Sequence, residues 1–600
     1  MLSFVNFEVC YQPMNFFKTF LTSCLGAFTA LLLITILGIL ALFSLSASED
    51  VVTIADNSVL ELNLNGRITE LEIEDPLGAV IPEAAEESIG LIQLIETIEK
   101  ATSDEKIKGI FLHTSDVSAG TASVEEVREA LQAFKKSGKW LIAYADAYSE
   151  RAYFLASVAD TILLNPHGMV EFNGLTAEVM FFKKAMDKLE IKPEVFRVGD
   201  FKSAVEPFLR EDLSPENELQ LKELLNDIQR ETLSKVSKSR NIGEEELKRI
   251  ADKMLVRNAE QAVQFKLVDQ LMYEDQVHDL IRQKLSIEQD KRISFIRYDK
   301  YRKTKNEDQE VSRDEISVIV ADGEIMPGKA DNGVIGSKTF VEALRRARKS
   351  ERVKAVVLRI NSPGGSFTAS DDIWREIKNT AAEKPVIASM SDYAASGGYF
   401  LAMACDTIVA KPTTITGSIG VFSVLFDLSG FLGNKIGITS DEVRTGEVGE
   451  LITFTRPLSE QEREIWQTQT NEVYDIFISK AAAGRKMSQD SLRKIASGRV
   501  WTGNQALSNG LIDAFGGLKE ATAMAATKAG LSEDYKVNYY PKPKNLLEKV
   551  LSGDQREVDA SDVLSRLGFG PGDEMLKKQW LKLKSYAGKQ ARMSTEFEIH

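Results

Sequence analysis

The sequence repeats itself at long range. Tyr153-Phe154-Leu155-Ala156, followed by Ala159-Asp160-Thr161-Ile162, returns as Tyr399-Phe400-Leu401-Ala402, followed by Cys405-Asp406-Thr407-Ile408. The offset is 246 residues (399 − 153). With a slip of one or two residues, Leu213-Ser214 falls on Leu458-Ser459 and Val268-Asp269 on Ile512-Asp513. Such a repeat implies two copies of one fold, so whatever a half-chain builds is built twice. In the first copy, apolar runs with strand character at 58–64, 109–113 and 140–144 alternate with helical spacing at 89–100 and 124–136. Alternating β and α elements predict a layered α/β domain around a largely parallel sheet. The expected organisation is one α/β copy over residues 51–297, a polar linker over 298–314, a second α/β copy over 315–545 and a polar tail over 546–600. The lysine-rich part of the tail, 575–592, reads as solvated chain in preference to a membrane-surface anchor.

The N-terminal end bears on where the chain works. Residues 20–47 are almost wholly apolar and uncharged, long enough to cross a bilayer as a helix. Lys18 before the run, and Glu49 and Asp50 after it, favour a short cytoplasmic segment over residues 1–19 and a body outside the cytoplasm. Ser44-Leu45-Ser46-Ala47 has the small residues of a cleavage site, but the run is long for a signal peptide, so an uncleaved anchor is expected. Met14-Asn15-Phe16-Phe17-Lys18 looks a more natural start than Met1. The composition, 43% hydrophobic and 27% charged, is that of a folded protein. A net charge of −15 gives no electrostatic case for binding nucleic acid. Cys10, Cys24 and Cys405 form no C-x-x-C pair, so no disulfide framework, zinc site or other cofactor is expected.

The second copy carries the residues that suggest chemistry. Pro385-Val386-Ile387-Ala388-Ser389-Met390 reads as a buried strand and the residues from Gly398 to Ala404 as a helix. Ser396, in Asp392-Tyr393-Ala394-Ala395-Ser396-Gly397-Gly398-Tyr399, therefore sits on a strand-to-helix turn, where a hydroxyl stands clear of the backbone. The Gly397 N–H falls in the first helical turn, where amides lack intrahelical partners. A serine nucleophile with half an oxyanion hole needs these features. On these residues alone a tight packing turn is the simpler reading. A second strand, glycine turn and helix, Asn361-Ser362-Pro363-Gly364-Gly365-Ser366, lies 32 residues earlier (396 − 364). Together the two turns can offer backbone donors from two directions. The first copy has lost the small-residue turn: at the repeat offset Ser396 faces Glu150 and Gly397 faces Arg151. Conversely, Gly199-Asp200-Phe201-Lys202 of the first copy faces Gly446-Glu447-Val448-Gly449, which has no lysine. Each copy is incomplete in a way the other complements.

These motifs, followed by Thr416-Gly417-Ser418-Ile419-Gly420-Val421 and preceded by Arg197-Val198-Gly199-Asp200-Phe201-Lys202-Ser203-Ala204-Val205-Glu206-Pro207-Phe208, resemble the bacterial signal peptide peptidase A family, in its long, duplicated form. The resemblance runs from about residue 51 to about residue 540 and leaves the tail uncovered. It implies a crotonase/Clp-protease type of fold, two copies behind a transmembrane helix, and a homotetramer on the bacterial inner membrane with its catalytic body on the periplasmic side. It also implies a Ser/Lys dyad that cuts signal-peptide remnants and other short apolar peptides. Ser396 would be the nucleophile, Lys202 the general base and Ser418 the hydroxyl that orients the lysine; Gly397, Gly364 and Gly365 would form the oxyanion hole. Burial beside apolar residues such as Phe201 and Phe208 suits a lysine base, because desolvation disfavours the ammonium. A Ser-His-Asp triad is disfavoured: the only histidines are His113, His167, His278 and His600, so from Glu315 onward the second copy has none before the terminal His600. The competing functions are a crotonase-like enzyme acting on acyl-thioesters and a non-catalytic scaffold.

Overall fold

In a computed structural model the chain is described at residues 23, 25–31, 33–34, 53–72, 88–304, 312–329, 333–532, 534–541, 588–592 and 598–599. The chain divides at residue 53 into two compact units. In the first unit residues 25–31 are helical. Most of the apolar run over 20–47 lies outside the described residues, and among the described residues no helix is long and apolar enough to cross a membrane. The second unit, from Ile54 onward, holds both copies.

Each copy is built on a parallel sheet, and the strand order is the same in both. In the first copy it runs Gln270–Leu271, Thr161–Val170, Trp140–Tyr148, Ile107–His113, Ser58–Asn63, Phe295–Arg297. In the second it runs Ala514–Phe515, Thr407–Ala410, Val386–Ala395, Val353–Ser362, Glu315–Asp322, Lys536–Tyr540. The duplication seen in the sequence is thus a duplication of topology. Residues 298–301, placed in the linker by their polarity, form a short helix in which Tyr301 is fully buried.

Parallel strands covered on both faces read as continuous apolar runs, and Val353–Ser362 is one. Val356, Leu358 and Ile360 pack against Ile373 and Ile377 of the helix Phe367–Ala381. Their neighbours Ala355 and Val357 turn to the other face, against Ala521 and Ala525 of the helix Leu518–Lys528. Ile92 of the first copy joins that second layer, so the copies share a core. Arg359 interrupts the apolar run and is fully buried. Its guanidinium donates to Glu70 and Glu126 of the first copy, both at 2.7 Å, and to Ser389 and Ser391 of the next strand. Removing one partner from such a buried set strands a charge, at about 3–5 kcal/mol.

A further sheet joins the copies. Lys192–Val198 of the first copy lies antiparallel on Val421–Asp427 of the second, in register from Val421↔Val198 to Asp427↔Lys192. On its other edge Val421–Asp427 pairs with Gly588–Arg592, which pairs in turn with Gly364–Ser366. This part of the tail is therefore a strand, where polarity suggested solvated chain.

Candidate active site

Ser396 occupies the single residue between the strand Val386–Ala395 and the helix Gly397–Ala402. Its backbone is left-handed, with φ 56° and ψ −112°, a conformation that a non-glycine residue keeps only when its surroundings enforce it. They do: the Ser396 N–H donates to Gly417 O at 2.8 Å, and its carbonyl accepts from Phe400 N at 2.8 Å. The hydroxyl makes no capping bond and is left free to face Lys202. The glycine after next is required sterically, because a Cβ on Gly398 would stand 2.6 Å from Ser362 O. The two glycine turns of the second copy therefore touch. Gly364, at φ 106°, donates its N–H to Ser362 Oγ at 3.2 Å and opens the short strand Gly364–Ser366.

Lys202 reaches this turn because of the strand pairing between copies. Val198 lies opposite Val421; four residues after Val198 comes Lys202, and three residues before Val421 comes Ser418. The antiparallel directions bring the two together. Lys202 Nζ lies 2.8 Å from Ser396 Oγ, 3.0 Å from Ser418 O and 3.1 Å from Ser418 Oγ. All three residues are fully buried. Burial alone lowers the lysine pKa well below its ordinary value. Phe208, Val205 and Ala204 pack with Phe422 and Val424 to form one apolar flank; Phe201 instead lies beneath the Arg499 guanidinium.

A turn that the sequence did not single out holds both sides of this arrangement. Ser497 accepts the Phe201 N–H on its carbonyl and the Asp200 N–H on its hydroxyl, each at 3.0 Å. Gly498 donates to Ile419 O at 2.8 Å, and Arg499 O accepts the Ser418 N–H at 2.7 Å. A Cβ on Gly498 would meet Lys202 Cβ at 2.6 Å. Behind the lysine, buried Gln220 donates to Phe201 O, Ser203 Oγ and Asn217 Oδ1 and accepts the Val500 N–H. The Lys202 segment is thus tied to the strand Val500–Thr502, which pairs with Ile415–Gly417 beside Ser418. Ala496-Ser497-Gly498-Arg499 reads as an ordinary turn, so no local signal marks it. Arg359 did carry one: a charge inside an apolar strand must find a buried partner.

Ser396, Lys202 and Ser418 are brought together within one chain; Gly397 starts the helix beside them, and Gly364-Gly365 lies across the touching turns. Among the described residues, His113 packs against Phe111 and Tyr144, and His278 against Phe295, in the first copy. Among the described residues no cluster of three His, Cys, Asp or Glu side chains is placed to hold a metal ion.

The family model described as Peptidase family S49 matches the chain twice, at residues 133–288 and 378–532. The Clp protease model matches residues 307–414. The chain is 36% identical over 505 residues to the chloroplastic serine protease SPPA of Arabidopsis thaliana, covering 83% of this chain and 73% of that one. It is 31% identical over 593 residues to Protease 4 of Haemophilus influenzae, covering 95% of each. A solved ClpP1 from Listeria monocytogenes overlaps 34% of the chain and 93% of its own length, at 15% identity and a TM-score of 0.23, too loose a match to carry weight.

Proposed function

The chain belongs to peptidase family S49 and is a serine peptidase, and on that premise we propose that Ser396 and Lys202 form its catalytic dyad. The observation that carries this reading is the 2.8 Å approach of Lys202 Nζ to Ser396 Oγ in a buried site. A lysine kept neutral there accepts the Ser396 proton while Oγ attacks the peptide carbonyl carbon. The carbonyl oxygen gathers negative charge and is held by the Gly397 N–H and the Gly364-Gly365 turn. The peptide C–N bond then breaks, and the leaving amine takes the proton from Lys202. Lys202 then takes a proton from water, which attacks the acyl carbon; the ester C–O bond breaks, and Ser396 Oγ receives that proton back from Lys202. Ser418 keeps the amine aimed through its two acceptor oxygens.

Substrates are short, extended, mostly apolar peptides, among them cleaved signal peptides. The relative from Enterococcus faecium is named a putative signal peptide peptidase. The strand Gly588–Arg592, seated between Gly364–Ser366 and Val421–Asp427, supports a groove that receives extended chain by backbone pairing. The body works outside the cytoplasm, tethered by residues 20–47, as a homotetramer.

A fluorophosphonate probe tests the dyad. Labelling should map to Ser396 by mass spectrometry and its rate should rise with pH. Labelling at another residue, or equal labelling of Lys202→Ala, removes the dyad reading. A thioester enzyme or a scaffold would not be labelled there.

A further inference from the structure

Two side chains that the dyad does not use lie where the strands of the second copy end. Asp322 and Asn361 stand opposite one another on neighbouring strands. Asn361 Nδ2 donates to Asp322 Oδ1 at 3.1 Å, and Asn361 Oδ1 accepts the Tyr393 N–H at 3.2 Å. The second bond answers an irregularity in the sheet. Val353–Ser362 pairs with Val386–Ala395 through Ile360↔Met390 and then Ser362↔Ala394, so Ser391, Asp392 and Tyr393 stand opposite Asn361 alone. Such a bulge bends its strand and takes backbone groups out of the ladder. The Asn361 amide supplies the Tyr393 N–H with the acceptor that the ladder withholds.

Three segments meet at this pair, and each leads into the site. Asn361 comes three residues before Gly364, and Tyr393 three residues before Ser396. Asp322 precedes Gly323, whose N–H donates to Asn361 O at 2.9 Å, and then the short strand Glu324–Met326, in which Ile325 pairs with Gly365. A Cβ on Gly365 would stand 2.2 Å from Ile325 O, so this contact sets how the glycine turn lies. The first copy builds the same corner differently. Asn65-Gly66 matches Asp322-Gly323, with φ 101° at Gly66 and 99° at Gly323, and Ser115 matches Asn361 at the repeat offset of 246 (361 − 115). Asn65 Oδ1 accepts the Ser115 and Asp116 N–H groups at 2.6 and 3.3 Å. The copy without Ser396 therefore has neither the carboxylate nor the bridging amide here.

We propose that Asp322 and Asn361 are positioning residues for the peptidase reaction: ionised Asp322 fixes the Asn361 amide, and the amide fixes the Gly364-Gly365 turn against the Ser396 turn. A charge-assisted hydrogen bond is about twice as strong as a neutral one, so the ionised form holds the amide better. The surroundings set when that form appears. Burial and the charge of Glu70 raise the Asp322 pKa to about 7, against the Asn361 bond and Arg67, which lower it; Asp392 adds to the rise. Glu70 is itself bonded to Arg359, which also holds Glu126, and Asp392 accepts the Ser123 N–H and hydroxyl. The inference rests on the roles proposed above for Ser396 and the glycine turn.

The test follows peptide hydrolysis by full-length wild type and Asp322→Asn across pH. Asparagine keeps an acceptor for Asn361 and cannot ionise. Lys202 titrates in both proteins, so its effect cancels in the ratio of their kcat values. That ratio should climb from about one at about pH 5.5 to about tenfold at about pH 8.5, with its midpoint near the Asp322 pKa of about 7. The exchanged pair, Asp322→Asn with Asn361→Asp, keeps one carboxylate, one amide and an acceptor for the Tyr393 N–H. It should regain most of the rate lost at the alkaline end; no recovery in a chain that melts as wild type does overturns the proposal. A ratio that is constant with pH also overturns it, because a merely structural role carries no such dependence. Ser396→Ala separates this failure from that of the dyad. Hydrolysis that survives Ser396→Ala overturns both readings, whereas Ser396-dependent hydrolysis with a constant ratio overturns this one alone.

Discussion

The two copies have the same strand order and begin the same helix in opposite ways. In the first, Ser149 precedes the helix Glu150–Ala156 with φ −66°, and its hydroxyl accepts the Ala152 N–H. The serine is used up as a helix cap. In the second, Ser396 stands before the helix Gly397–Ala402 at φ 56° and makes no capping bond. The strained backbone leaves the hydroxyl free, and Lys202 approaches it. The position of Ser396 in the repeat is held in the first copy by Glu150, whose carboxylate accepts the Gly174 N–H at 3.2 Å. One copy puts its serine into a helix cap, and the other leaves its serine facing a lysine from the first copy, the pair proposed above as the dyad.

Ser396→Ala should break this comparison most severely. It removes the hydroxyl proposed as the nucleophile, so turnover should fall by about 10⁴-fold or more. The fold should persist, because the lost hydroxyl caps nothing. Peptide hydrolysis and thermal unfolding measured on the same preparation check both halves; activity within tenfold of wild type excludes Ser396 as nucleophile.

Lys202→Arg should be nearly as damaging, at about 10³- to 10⁴-fold, because a guanidinium does not give up its proton in the accessible pH range. Wild-type activity should rise with pH through the lowered lysine pKa. The same shift has a stability consequence. A lysine whose pKa is lower folded than unfolded opposes folding as pH drops below its ordinary range. Lys202→Met should therefore be inactive and melt higher than wild type at neutral pH. An Arg variant with most of its activity would reduce the lysine to a positive charge and end the Ser/Lys reading.

Gly498→Ala probes the link between the copies with a smaller effect. Its Cβ would overlap Lys202 Cβ, so the lysine must move. A displacement of about 1 Å at a catalytic group costs about 10²-fold. The loss should fall on kcat more than on KM, since the atoms that a Cβ there would meet belong to Lys202. An equal loss in KM would show a general collapse of the site instead.

These residues also mark how far the sequence was legible. The duplication, the parallel sheets and the Ser396 turn follow from local patterns, because a buried strand, small residues and a helix leave a signature within a dozen positions. Lys202 has no such signature. What selects it is a pairing between Lys192–Val198 and Val421–Asp427, far apart in sequence, whose register no local pattern encodes. Lys202 was reached only through the family resemblance and the complementary loss between copies; Gly498, required by a contact with that lysine, had neither and was missed. The tail strand Gly588–Arg592 was missed for a related reason: its polar sequence pairs through backbone groups, which carry no hydropathy.

Glu150 sharpens the comparison with the smallest effect on turnover. Burial outweighs its bonds from the Gly174 and Asn173 N–H groups and raises its pKa to about 7, against an ordinary 4.5. The folded chain thus holds this proton more tightly than the unfolded chain does. Stability should fall as pH rises from about 4.5 to about 7, where the unfolded chain ionises first, and the full penalty should persist above that window. Glu150→Gln keeps an acceptor for Gly174 and cannot ionise. The variant should match wild type at pH 4.5 and exceed it at pH 8, by no more than about 3 kcal/mol for a shift of this size and by less to the extent that water reaches the group. Its hydrolysis rate should be unchanged, since no lysine faces this position. Denaturant unfolding at the two pH values decides the point. An equal difference at both would mean that Glu150 is not a buried acid holding a vacant nucleophile position. A changed rate with equal stability would mean that the first copy's turn takes part in the chemistry after all.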